Sequence, residues 1–271
     1  MQTIQQSFVS IILMSMPEFL LKKWYLDYIT PDYNTSIFYK GSMRYGPFEV
    51  HHCSELKKDH ELVTNKIFWD NGRSFLTSTE NIVTFKLNDK TYSWKPMCNS
   101  VTLLIYERGN KYIKWNCIQP LARVKVSGSL VEQYIFGYVE QLETNILPWE
   151  FEFDNLIWGR FTNAQTSLVW INLEGPFSRK IVLLNGKEIN VDKISMSEIV
   201  FDGGNINIQD ITILREGNLM STLLANMPFL KQIIPRTGLP VFEKKILAKG
   251  FLTLGNQIQE GQIIHEIVRW K

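Results

Sequence analysis

Cysteine is scarce in this chain: three in 271 residues, Cys53, Cys98 and Cys117, with no Cys-x-x-Cys spacing. An odd, scattered set argues against a disulfide framework and against a cysteine-built zinc site. It fits buried, reduced thiols in a cytoplasmic protein. There are only four histidines and no His-Glu-x-x-His run. His51 and His52 are neighbours on a strand, so they point to opposite faces and cannot both ligate one metal. No metal and no cofactor is expected. Glycine never forms a phosphate loop: Asp202-Gly203-Gly204-Asn205 lacks a Lys-Ser/Thr and a following helix, and reads as a turn. There is no Gly-x-Ser-x-Gly elbow either. Net charge is only +2. No Lys/Arg block is interleaved with aromatics, which argues against nucleic acid as a partner. The apolar run Phe8 to Met16 is too short to span a bilayer and has no positive flank. It reads as a short element packed on the body. Whether it is an address signal stays open, as do peripheral membrane contact and the oligomeric state.

Aromatic residues are plentiful, at 13% of the chain. Flat rings suit pleated surfaces and also the walls of an apolar pocket. Short strands with turn punctuation dominate. Ser36 to Tyr45 and Phe48 to Leu56 flank Gly46-Pro47. Asn81 to Leu87 and Thr91 to Trp94 flank Asn88-Asp89-Lys90, and Val101 to Glu107 and Lys111 to Ile118 flank Arg108-Gly109-Asn110. Arg123 to Ser127, Leu130 to Glu143 and Leu168 to Leu173 continue the pattern. Asn185-Gly186, between Ile181 to Leu184 and Lys187 to Asn190, is the strongest short hairpin signal. Ile208 to Arg215, Phe242 to Leu254 and Ile263 to Trp270 complete the set. In the last of these neither face is purely apolar, as in a barrel with a polar-dotted lumen. Two segments read as helices, Asp59 to Phe68 and Ser221 to Ile234. Many strands and few helices predict an all-β chain of two tandem antiparallel barrels, 1–130 and 131–271, each with about eight strands.

The densest cluster of candidate chemistry is Gly137-Tyr138-Val139-Glu140-Gln141-Leu142-Glu143, followed by Trp149 and by Trp158-Gly159-Arg160-Phe161. Tyr138, Glu140 and Leu142 share one strand face and Glu143 takes the other. On an apolar-lined lumen the Glu140 carboxyl would hold its proton above the usual range and could donate it. Arg160 either contacts substrate or pairs with a carboxylate and fixes the domain junction. Trp24, Tyr25, Trp149, Trp158 and Trp170 suit core and pocket equally.

Lys23-Trp24-Tyr25-Leu26-Asp27, Arg44-Tyr45-Gly46, Gly137-Tyr138-Val139-Glu140, Trp158-Gly159-Arg160 and the closing His265-Glu266-Ile267-Val268-Arg269-Trp270 resemble the lipocalin-like superfamily of carotenoid 1,2-hydratases. Tocopherol cyclases and fungal decalin-forming Diels–Alderases are related to it by fold. The resemblance implies two lipocalin-like (calycin) barrels side by side, with a ligand pocket in or between them. The chain departs from the family pattern where the family's acid residues cluster. Glu140, Gln141 and Glu143 stand where Asp, His and Trp are common, and Trp170-Ile171-Asn172 stands for a Tyr-x-Asp pair. A glutamine or an asparagine is no proton carrier, which moves the expectation from hydration to conformer-controlled cyclisation. Folding a polyene into a near-attack conformer supplies roughly 7–11 kcal/mol at best, and a donor polarising a carbonyl about 3 more.

The function expected from the resemblance is therefore that of a cofactor-independent cyclase or isomerase, pericyclic and Diels–Alderase-like. It would act on a hydrophobic polyene or isoprenoid in natural-product biosynthesis. The alternatives are a hydratase of a carotenoid-like alkene and a non-catalytic carrier of a lipophilic ligand. Tyr138, Glu140 and Gln141 are expected to form one catalytic face, opposed by Asn172 and Trp170. Trp24, Trp158, Arg160 and His51 are expected to line the substrate cavity.

Overall fold

The computed structural model describes residues 19–70, 74–127, 135–218 and 241–270. Among these residues nineteen strands carry the fold. The first ten are β1 (Phe19–Ile29), β2 (Thr35–Tyr45), β3 (Phe48–Asp59), β4 (Leu62–Trp69), β5 (Ser74–Thr79), β6 (Ile82–Leu87), β7 (Lys90–Pro96), β8 (Val101–Arg108), β9 (Lys111–Val126) and β10 (Ile135–Thr144). A single 3-10 turn at Pro148–Glu150 leads to the other nine. These are β11 (Asn155–Thr162), β12 (Ser167–Glu174), β13 (Arg179–Leu184), β14 (Lys187–Ile189), β15 (Val191–Ile194), β16 (Glu198–Phe201), β17 (Gly204–Asn218), β18 (Phe242–Leu254) and β19 (Gln257–Arg269).

All pairings are antiparallel and fall into two sheets. The first runs β4-β3-β2-β1-β10-β9-β7-β6-β5, with β8 also on β9, and curls into a half-barrel. The second runs β14-β13-β12-β11-β19-β18-β17-β16-β15, and β13 also touches β15, so it all but closes. The two tandem lipocalin-like barrels expected from the sequence are thus present. The chain changes sheet between β10 and β11 rather than at residue 130, because β10 pairs with β1 and β9 of the first sheet.

Turn chemistry explains much of the register. Asn185 and Gly186 both have positive φ (49° and 77°), the conformation a two-residue hairpin needs to match strand twist. The expected helix over Asp59 to Phe68 is instead the end of β3, a two-residue turn at His60-Glu61, and β4. Val63, Thr64, Ile67, Phe68 and Trp69 are strand formers, and pairing with β3 decides their state. The expected helix over Ser221 to Ile234 and the apolar run Phe8 to Met16 lie outside the described residues. Among the described residues no helix is long and apolar enough to cross a membrane.

Alternation along each strand sorts side chains into three cores. One fills the concave side of the first sheet, with Leu26, Phe38, Phe85, Trp94 and Val139. A second fills the second barrel, with Phe161, Leu168, Trp170, Ile246 and Ile263. The third lies between the two sheets and draws on both: Tyr25, Tyr39, Trp115 and Tyr138 from the first, Trp158, Ile171, Leu247 and Ile264 from the second. The polar-dotted lumen expected from the last strand is a packed, mainly apolar core, because large apolar side chains from its walls meet at its centre.

Candidate functional site at the junction of the barrels

Two glycines of the sequence motifs allow the close contacts that build the junction. A Cβ on Gly137 would sit 2.2 Å from the Asp27 carbonyl oxygen and 2.8 Å from Trp94 Nε1. Its absence lets the Trp94 indole donate to that carbonyl at 2.7 Å. A Cβ on Gly159 would sit 2.4 Å from the Trp170 ring, so the glycine makes room for that indole inside the second barrel. Its neighbours Trp158 and Arg160 then point the other way, into the junction.

Asp27 and Arg160 clamp the two sheets. Arg160 donates from Nε to Asp27 Oδ2 at 2.8 Å and from Nη2 to Oδ1 at 2.5 Å, and its Nη1 donates to the Thr162 hydroxyl. Both ionic side chains are 0% exposed. This is the forked geometry that satisfies a buried guanidinium. Arg160 therefore takes the structural role of the two open from sequence, a clamp whose donors are engaged within the protein.

Cross-strand register lays out the rest of the site as two facing rows. In the first sheet Tyr39, Tyr25, Glu140 and Cys117 stand side by side on β2, β1, β10 and β9. In the second, Arg215, Lys245, Glu266 and Trp158 stand side by side on β17, β18, β19 and β11. The rows meet through rings and cations. The Trp158 ring is 4.8 Å from that of Tyr25. Lys245 Nζ lies 5.5 Å from the Tyr25 centroid and 5.6 Å from those of Tyr39 and Trp158. Lys245 is fully buried and paired with Glu266, while Arg215 Nη2 holds Glu243 at 2.5 Å. Repeated compensation of this kind is what keeps so many charges tolerable away from water.

Glu140 is the reactive candidate of this set. Its Oε2 accepts three hydrogen bonds, from Trp115 Nε1 at 2.6 Å, Tyr138 OH at 2.7 Å and Trp158 Nε1 at 3.2 Å. Burial raises its pKa above the ordinary carboxylate value, outweighing those donors and nearby Lys23. Because three donors occupy Oε2, the proton of the neutral acid belongs on Oε1, which accepts no hydrogen bond among the described residues. The Glu140 carboxyl, expected on an apolar-lined lumen, faces the junction instead.

The other expected residues divide between regions. Tyr138 and Trp158 join Glu140. Gln141 is on the opposite face of β10, accepting from Asn116 Nδ2 at 3.1 Å, so it cannot share a face with Glu140. Trp24 packs on the concave side of the first sheet. Trp170 and Asn172 lie on the barrel face of β12. Trp170 Nε1 donates to His265 Nδ1 at 3.3 Å, and Asn172 donates to Glu174 at 2.7 Å. They do not oppose Glu140, because the junction face of β12 is Val169, Ile171 and Leu173. His51 is 51% exposed beside Glu49. Its neighbour His52 packs on Gly41 and is held near a pKa of about 4 by burial, with Lys23 adding to the effect.

Tyr25, Asp27, Tyr39, Trp115, Lys245 and Glu266 are absent from the sequence-derived site. The alternation of Lys23, Tyr25 and Asp27 could have found two of them, since Trp24 of the same motif necessarily faces the other way. Glu243 and Lys245 likewise share a strand face, with Lys244 between them on the other.

Two clefts open away from this row. One of about 290 Å³ is bounded by Ile29, Pro31, Tyr33, Phe136, Thr162 and Glu260. Along β1 the junction face reads Lys23, Tyr25, Asp27, Ile29, so the Asp27–Arg160 clamp lies between that cleft and Glu140. The other, of about 430 Å³, lies at Asn172, Glu174, Ser178, Arg179 and Lys180. Among the described residues no three His, Cys, Asp or Glu side chains gather as metal ligands.

No protein-family model matches the chain. No curated protein matches its sequence. Solved structures do match its shape. Kievitone hydratase from Nectria haematococca superposes with a TM-score of 0.58 at 10% identity, covering 92% of this chain and 88% of that one. CghA gives 0.56 at 10% identity, with 93% and 88% covered. CghA with Sch210972 gives 0.51 at 11% identity, with 93% and 89% covered. At such identities the likeness is one of fold: a two-barrel architecture that one hydratase and CghA share with this chain.

Proposed function

We propose that this chain is an enzyme that protonates a carbon–carbon double bond of a hydrophobic polyene or isoprenoid at the barrel junction, with Glu140 as the acid. The observation that carries the reading is the Glu140 carboxyl itself. One oxygen is pinned by three donors, the other is unengaged, and burial favours the protonated form. Proton transfer from a group so placed contributes typically 10²–10⁴-fold. The hydratase among the structures of this fold supports the same class of chemistry, as an analogy of fold.

In the proposed step the Glu140 proton forms a C–H bond with one alkene carbon, and the alkene π electrons leave the other carbon cationic. The Tyr25 and Trp158 rings lie beside the acid, with the Lys245 ammonium already 5.5 and 5.6 Å from their centroids. Water adding to that carbon and losing a proton completes hydration. A second double bond adding to it, followed by proton loss, completes cyclisation to an isomer. In both outcomes the Glu140 carboxylate takes back one proton. The pericyclic reading, which needs no proton, is weakened because Gln141 and Asn172 are not in the site. Its remaining support is the aromatic wall of Tyr25, Tyr138, Trp115 and Trp158. A role in natural-product biosynthesis follows from the substrate class.

The test is incubation with a panel of polyenes and isoprenoids in heavy water, read by mass spectrometry. Solvent deuterium at carbon is expected in a hydrated or isomeric product, with a 10²–10⁴-fold loss of turnover in Glu140→Gln. An isomer without deuterium, formed equally well by the variant, would establish the pericyclic route. A recovered, unaltered ligand would establish carriage.

A further inference from the structure

Several surface lysines of this chain pair with a carboxylate. Lys22, Lys57, Lys111, Lys193 and Lys249 each lie within 3.2 Å of an Asp or Glu oxygen. The convex face of β5, β6, β7 and the part of β9 paired with β7 is different. It bears Lys86, Lys95, Arg123 and Lys125, all exposed. Their strand neighbours Phe85, Trp94 and Val124 point the other way, into the concave core. Register fixes how the face is laid out. Lys86 lies between Phe75 and Thr91, Lys125 stands beside Ser93, and Lys95 is directly opposite Arg123. The remaining outward side chains are Phe, Ile, Thr and Ser, so among the described residues the face carries no Asp or Glu. Like charges directly opposite each other weaken a sheet, so the fold gains nothing from setting Lys95 against Arg123. Strands are about 4.8 Å apart, which spreads the four cations over about 10 Å across the strands. Their fields add at that range, about one Debye length.

We propose that this face docks the protein reversibly on an anionic lipid bilayer. Charge complementarity supplies the attraction, since each Lys or Arg held at such a surface strengthens binding about fivefold. Phe75 favours a bilayer over a soluble polyanion. Its side chain is 64% exposed on the edge strand β5, beside Lys86. There the ring can enter the acyl boundary while the lysines stay among the headgroups. A single-stranded nucleic acid would need rings at the centre of the face to stack on. The centre holds Thr84 and Ser93 instead, hydroxyl beside hydroxyl at 3.5 Å. Register also sets Arg123 beside Phe136, a wall of the cleft of about 290 Å³ at the end of the junction. Docking thus places that cleft beside the membrane surface, where polyenes and isoprenoids dissolve. This last link rests on the preceding reading of the ligand; the cations and the exposed ring do not.

Co-sedimentation of the full chain with vesicles of phosphatidylcholine, alone or with about one-third phosphatidylserine, tests the face without any turnover. The mixed vesicles are expected to bind at about 0.1 M salt and to release the protein as salt rises to about 0.5 M. Phosphatidylcholine alone should bind it about tenfold more weakly or less. Lys95→Gln and Lys125→Gln together are expected to weaken binding about 25-fold, and Phe75→Ser about tenfold. Lys22→Gln and Lys111→Gln together, away from the face, should change it by under about twofold. Lys95→Gln removes a like-charge pair, so the melting temperature of the Lys95/Lys125 variant should equal or exceed that of the wild type, which separates loss of docking from loss of the fold. Glu140→Gln should bind vesicles as the wild type does, so the acid and the docking face succeed or fail independently. No binding to the mixed vesicles, equal losses in the two lysine pairs, or unchanged binding of Phe75→Ser would overturn the proposal. So would tighter binding to a uridine homopolymer through the same lysines, which would give the face to nucleic acid.

Discussion

Ile157 and Phe161 of β11 point into the second barrel, while Trp158 and Arg160 point out of it to the junction. The same division recurs on β18, where Ile246 and Ala248 are lumenal and Glu243 and Lys245 are not. One strand thus serves two environments of opposite chemistry. The lumen is filled mainly by aliphatic and aromatic side chains, with His265 and Asn172 buried on its walls. The junction is equally buried but holds a clamp, a charged row and a carboxyl whose pKa burial raises. Apolar packing is indifferent to which neighbour it touches, so it can be delegated to the lumen. Charged groups need specified partners, and the junction is where two sheets can supply them from both sides.

The largest stability effect should come from breaking the clamp. Asp27→Ala leaves the Arg160 guanidinium buried and uncompensated, for an expected loss of about 3–5 kcal/mol in chemical denaturation. A loss under about 1 kcal/mol would mean that water reaches this part of the junction, erasing the contrast with the lumen.

A smaller effect should appear in acid. His265 accepts from Trp170 and is held by burial near a pKa of about 4, against about 6.5 when unfolded. Its folded pKa is depressed, so the unfolded chain binds more protons at intermediate pH. The stability tied to keeping it neutral is present above pH 6.5 and is lost as pH falls towards 4, on the order of 3 kcal/mol in all. Glu140, whose folded pKa is raised, works with the opposite sign and partly masks this slope. The measurement is therefore a difference: His265→Gln should lose stability less steeply than the wild type between pH 6.5 and 4. Identical slopes would place His265 in contact with solvent.

The smallest effect is expected where sequence and structure disagree most. Gln141→Ala and Asn172→Ala should leave turnover within about twofold, since neither side chain reaches the Glu140 row. A hundredfold loss in either would mean that the reacting end lies on the concave side of the first sheet or at the end of the second barrel.

Much of the architecture is legible in the chain. Asn185-Gly186 and Gly109 demand their hairpins through backbone conformations that few residues adopt. Period-two alternation in β19 assigns its faces before any fold is known. That Glu140 shares a face with Tyr138, two residues before it, is readable because strand geometry is local. Asp59 to Phe68 was misread, since a short charged segment carries too little period to outvote its neighbours.

What strand geometry could not say is which face meets what. Gln141 adjoins Glu140 and so must diverge from it, and Trp170 and Asn172, expected opposite them, face into the second barrel. Asp27 and Arg160 are 133 residues apart, and no spacing along a chain announces such a pair. Local backbone preference and alternation determine strands, turns and the two sides of each sheet. Only the packing of one sheet against the other decides which buried carboxylate finds an arginine and which is gathered among indole and phenol donors.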